Sequence, residues 1–196
     1  MKRFLSSLVY SFYIFSILLY IFSAPPFICI CALACSALHE CSHMITAKAL
    51  GRKTSVLCFS PTGLYPSAGA GDMLSSVLIY AAGPSLNILL CMLSACAVQL
   101  WDISYIISFF SVNAALAVFN LLPIPFSDGD GIFRCVLGRI LKKGHAHGIC
   151  SAVEAIFSGA LFFFFSYRFF AAPGGFFSFF LSVVFMLVSL SRLFGE

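Results

Sequence analysis

Charge is scarce in this sequence. Only 9% of its 196 residues are Asp, Glu, Lys or Arg, against about a quarter in soluble domains. That shortage excludes a large soluble domain. No run of Lys and Arg with interleaved aromatics occurs, so the net charge of +4 does not mark a nucleic-acid surface. There is no Cys-x-x-Cys pair, and the nine cysteines are odd in number and lie mostly in apolar runs. A disulfide framework is not expected, and the thiols read as small core residues. Histidines number four and acids seven, so a metal or acid–base site has few side chains to draw on.

What fills the chain instead is apolar. Hydrophobic residues make up 61%, with 24 Phe suited to lipid-facing surface. The pattern predicts an all-α polytopic membrane protein, a single membrane-embedded domain over 1–196. A span needs about 20 apolar residues. Six such stretches are expected, at about 4–22, 25–49, 73–99, 103–123, 148–171 and 175–194. Tight turns at Ala24-Pro25-Pro26, Trp101-Asp102 and Ala172-Pro173-Gly174 separate some of them. Residues 50–72 form a longer Gly- and Pro-containing loop, and 124–147 a polar, basic one with a short interfacial helix expected over 132–142. The apolar run Phe4–Phe22 exceeds a usual signal-peptide core, and bulky Phe22 precedes the best cleavage site, so an uncleaved first span is expected.

The basic residues orient these spans. With the N-terminus in the cytoplasm, Lys2, Arg3, Lys48, Arg52, Lys53, Arg134, Arg139, Lys142, Lys143 and Arg192 fall on the inner side. Only Arg168 falls near the outer side. This asymmetry predicts a multi-pass protein of the cell membrane with both termini cytoplasmic.

Within the second span lies His39-Glu40-Cys41-Ser42-His43, an H-E-x-x-H motif. Ionisable groups in a bilayer are costly, so three in five residues need a reason, and zinc is the natural one. Four residues apart on a helix, His39 and His43 share a face and can reach one metal. Glu40 sits about 100° round and can act as general base on a metal-bound water. Cys41 faces elsewhere and is not counted as a ligand. Counting from the start of the span, His43 lies roughly 27 Å down a core of about 30 Å, near its cytoplasmic edge.

A catalytic zinc usually takes three protein ligands and a water. Asp128 is the best-placed third ligand. Pro123 and Pro125 must end the fourth span and force an extended segment, and Gly129 then allows a sharp turn. Asp130 is the alternative in the same turn, and Glu154 a further rival whose plainer reading is a buried acid paired with an Arg. His145 and His147 sit in a basic loop and look solvated. Asp72 suits a helix N-cap, and Asp102 is on the wrong side of the membrane.

Taken together, the motifs are familiar. His39-Glu40-x-Ser42-His43, then Ala82-Gly83-Pro84-Ser85-Leu86-Asn87, then Asn120-Leu121-Leu122-Pro123-Ile124-Pro125 leading to Asp128-Gly129, resemble the site-2 protease family of intramembrane zinc metalloproteases. The match covers about residues 30–135. Six spans without a PDZ-like insertion look most like the sporulation stage IV subgroup, which cleaves a membrane-associated pro-sigma factor. No C-terminal CBS domain of the kind frequent there is expected. The resemblance implies a metalloprotease core on helices 2–4, over about 25–135, with one Zn2+ per chain held by His39, His43 and Asp128. It implies Glu40 as the catalytic base, and Asn120 and Asn87 as residues that position substrate or the oxyanion. It also implies a short membrane-dipping β-hairpin at 55–69, able to pair with an extended substrate. The implied function is cleavage of a membrane-associated regulatory protein, of pro-sigma or anti-sigma factor type, near the cytoplasmic face. Partners would be that substrate, the lipid bilayer and a regulatory membrane protein, with no nucleic acid. One departure stands out: where the family usually carries Pro, two residues before the aspartate, this chain has Phe126. The alternative function is a divalent-metal transporter using the same His/Asp cluster. It would need a continuous polar path, whereas the polar residues cluster on the inner half.

Overall fold

The structure, a computed structural model, describes residues 25–52, 72–97, 103–171 and 176–194. Among these residues it is wholly helical. The expected first span at 4–22, the hairpin at 55–69, Asp102 and Glu196 lie outside the described residues. The helices are α1 (Pro26–Ala49), α2 (Met73–Ala97), α3 (Ile103–Leu121), α4 (Asp128–Ile140), α5 (Lys143–Ala171) and α6 (Phe176–Phe194). The long ones, α1, α2, α3 and α5, are long and apolar enough to cross a membrane. Helix α6 occupies the sixth expected span. Large apolar side chains such as Leu33, Ile45, Met92, Ile156 and Phe163 point outward, as the bilayer-facing side of a helical membrane protein requires.

Local sequence explains where these helices begin and end. Prolines 25 and 26 open α1, where a missing N–H costs nothing. Its far end is a Schellman turn. Gly51, at φ +69°, donates to Lys48 O at 3.0 Å, and Arg52 donates to Ala47 O at 2.9 Å. The buried stripe of α1 runs Cys31, Cys35, His39, His43, Ala47, one residue every turn. Every member but the imidazoles is small, which lets α2 and α3 approach closely.

Helix α3 ends at Leu121, ahead of the two prolines, as expected. The next helix starts earlier than the sequence predicts. Ser127 caps α4 by accepting the Asp130 N–H at 3.1 Å, and two acids occupy the first turn, where the helix dipole favours them. Asp128 therefore opens a helix; it does not hang from an extended tail.

Helices α5 and α6 form an antiparallel pair. Glu154 meets Arg192, Ser158 meets Ser189 at 2.7 Å, and Phe169 meets Phe176, in opposite order along the two helices. Buried serines 151, 158, 182 and 189 keep this seam narrow. Among the described residues, the backbones of α5 and α6 approach the α1–α3 group only through α4. Side chains add the stack of Phe119 on Phe165.

Candidate metal centre

The site forms where α1, α2 and the start of α4 meet. His39 and His43 project from α1 and are buried. Helix α2 fixes both rings from behind. His43 Nδ1 lies 2.6 Å from the backbone oxygen of Ile79, and His39 Nδ1 lies 3.0 Å from Asn87 Oδ1. A carbonyl oxygen only accepts, so each neutral ring carries its proton on Nδ1 and leaves Nε2 as a bare lone pair. This backing is the arrangement that orients metal-binding histidines.

The two Nε2 atoms are 3.1 Å apart. Asp128 completes the triangle, with Oδ2 3.1 Å from His39 Nε2 and Oδ1 3.3 Å from His43 Nε2. The Asp128 Oδ2 atom is buried with no hydrogen-bond donor among the described residues. Three electron-rich atoms this close repel one another unless a cation lies between them. Zinc–ligand bonds of about 2.0–2.1 Å at tetrahedral angles put ligand atoms about 3.3 Å apart, which is the spacing found. His39, His43 and Asp128 are the one such group among the described residues.

Close approach of α2 makes this possible, and Gly83 is the contact point. A Cβ there would sit 2.5 Å from His39 Cε1, His39 Nε2 and His43 Nε2. On the other side, a Cβ at Gly129 would strike the carbonyls of Leu121 and Leu122, so the turn that carries Asp128 also depends on a missing side chain.

The remaining candidates fall as follows. Glu40 is exposed on α1, next to His39. Asn87 is fully buried; its oxygen is used by His39, while its Nδ2 is buried without a partner among the described residues. Asn120 donates to Leu116 O at 3.0 Å within its own helix. Asp130 and Glu154, the rival ligands, are both taken by arginines. Cys41, His145 and His147 are exposed. Asp72 precedes α2, where its backbone carbonyl accepts the Ser76 N–H.

Sequence reasoning did not find the Ile79 carbonyl or the contact role of Gly83, which it treated only as part of a motif. The spacing held a signal for both: Ile79, Gly83 and Asn87 are four apart, so they share the face that meets the histidines.

Comparison with family models, with curated proteins and with solved structures finds no match to this chain.

Proposed function

We propose that this chain is a membrane-embedded zinc metalloprotease of the site-2 type, cleaving a membrane-associated regulatory protein near the cytoplasmic face. One observation carries the reading. Two bare imidazole nitrogens and a partly buried carboxylate meet at tetrahedral spacing, with a glutamate beside the first imidazole on the same helix. The order of motifs along the chain supports it independently.

Held by His39, His43 and Asp128, a zinc ion would supply a Lewis acid for the scissile carbonyl and acidify the attacking water. The chain does the rest. Glu40 accepts the proton of the attacking water and returns it to the leaving amine. Donors for the carbonyl oxygen as negative charge builds are Asn87 Nδ2, which no group among the described residues uses, and Asn120. A helical substrate has its peptide groups engaged, so the cut segment must unwind. Small or helix-breaking residues are expected near the cut. A pro-sigma or anti-sigma type of substrate, sporulation as the process, and cytoplasmic termini follow from the resemblance and from the distribution of basic residues.

Co-expression with membrane-tethered regulators from the same genome tests the reading. Wild type is expected to cleave one of them. Glu40→Gln is expected to abolish cleavage while retaining one zinc per chain. Cleavage at the wild-type rate by Glu40→Gln would rule out Glu40 as the base. Metal flux into proteoliposomes without proteolysis would replace the protease with a transporter.

A further inference from the structure

A second cluster of buried charge lies close to the metal centre and takes no part in the chemistry above. Asp130 and Glu154 are 1% and 0% exposed. Arg134 spans them, with Nε 2.8 Å from Asp130 Oδ2 and Nη2 2.6 Å from Glu154 Oε2. Arg192 spans them again, with Nη1 2.7 Å from Glu154 Oε1 and 3.3 Å from Asp130 Oδ2. Two carboxylates and two guanidiniums thus join α4, α5 and α6. Buried ion networks contribute little net stability beside well-packed apolar groups, but they fix direction and register. What this one fixes is α4, whose first residue is Asp128.

A second contact acts on the same segment. Phe126, two residues before Asp128, has φ +70°. A bulky residue holds that left-handed conformation only where its surroundings compel it. Here the ring packs against Val184 and Val188 of α6, and the Arg192 guanidinium lies over it, 5.4 Å from the centroid. Arg192 therefore touches both handles of the ligand segment: the Phe126 ring before Asp128 and the Asp130 carboxylate after it.

We propose that helix α6 sets the position of the metal-ligating carboxylate, with Arg192 and Phe126 as positioning residues for Asp128. They touch neither metal nor substrate. They hold the Asp128 backbone from the side opposite α1 and α2, so that its carboxylate stands where it can share a cation with the two imidazoles. The inference rests on the metal site, and holds whether or not the chain is a protease. It follows that removing the Phe126 or Arg192 contact weakens metal binding before it unfolds the protein.

The test uses the full chain in detergent, loaded with Co2+ as a spectroscopic probe. Affinity is measured by chelator competition, and coordination by the visible absorption bands. The variants are Phe126→Leu, which removes the ring but keeps an apolar side chain, and the charge-balanced double change Glu154→Gln with Arg192→Gln. Ser158→Ala serves as control, because it loosens the α5–α6 seam without touching Phe126 or Arg192. Outer contacts that orient a ligand are typically worth 10–100-fold in affinity, so each positioning variant is expected to lose about tenfold or more and to shift the absorption bands. Ser158→Ala is expected to match wild type, and Arg192→Lys to recover part of the affinity. Wild-type affinity and bands in folded Phe126→Leu would overturn the inference, as would an equal loss in Ser158→Ala. Failure of wild type to take up Co2+ would remove the metal site itself, and the inference with it.

Discussion

Substituting Gly83 with alanine separates metal binding from folding. The added Cβ would fall 2.5 Å from three imidazole atoms, whereas non-bonded carbons rest at about 3.5 Å or more. Relief requires a displacement of about 1 Å. The rings cannot swing aside cheaply, because Asn87 and Ile79 hold both Nδ1 atoms from the same helix that carries the new methyl. Metal sites tolerate ligand errors of only about 0.2 Å, so a shift several times larger is expected to abolish stoichiometric zinc. Stability should behave differently. Alanine favours a helix interior over glycine by about 1 kcal/mol, which offsets part of the crowding. The expected result is a folded protein, melting within a few degrees of wild type in zinc-free buffer, that holds less than a tenth of an equivalent of zinc. Metal analysis of purified protein with a parallel thermal melt reads both quantities. A Gly83→Ala protein with a full equivalent of zinc would show that α2 does not press on the histidines as described.

Removing the Asn87 side chain with Asn87→Ala frees His39 Nδ1 and is expected to lower zinc affinity by about 10–100-fold, read by chelator competition; unchanged affinity would show that Asn87 does not orient His39. Asp128→Asn keeps the size of the side chain but removes its charge, and is expected to lose stoichiometric zinc in the same assay. Phe126→Pro is expected to disrupt the centre, because proline fixes φ near −65° while this position stands at +70°; a proline variant with wild-type zinc content would contradict the turn geometry.

Much of the centre was legible in sequence because helical spacing is a strong constraint. His39 and His43 had to share a face, and the prolines after Leu121 had to end α3. The sixth helix was placed by its apolar run. What spacing could not deliver was the tertiary backing. The use of Asn87 by His39, and of the Ile79 carbonyl by His43, depends on the register of α1 against α2, which no single segment encodes. The start of α4 was misjudged for a similar reason. Pro125 argued for extended chain, but the Ser127 cap restores a helix within three residues. Phe126, noted only as a departure from a familiar pattern, occupies a conformation that proline cannot adopt.

The choice between Asp128 and Asp130 shows how the fold resolves what sequence leaves open. Both acids lie in the first turn of α4, with similar chemistry and one glycine between them. On a helix, residues two apart point about 200° from each other, so only one can face the histidines. Asp128 faces α1 and α2, and Gly131, three residues on and on a similar side, lies against the Tyr80 ring of α2. Asp130 faces away, and its partner Arg134, one turn further on, shares that outward side and reaches Glu154 of α5. The first turn of α4 thus presents a candidate metal ligand to one half of the molecule and an anchor to the other. A register shift of a single residue would turn Asp128 away from the imidazoles and strand two arginines, so the charge network and the metal centre hold α4 in the same rotation.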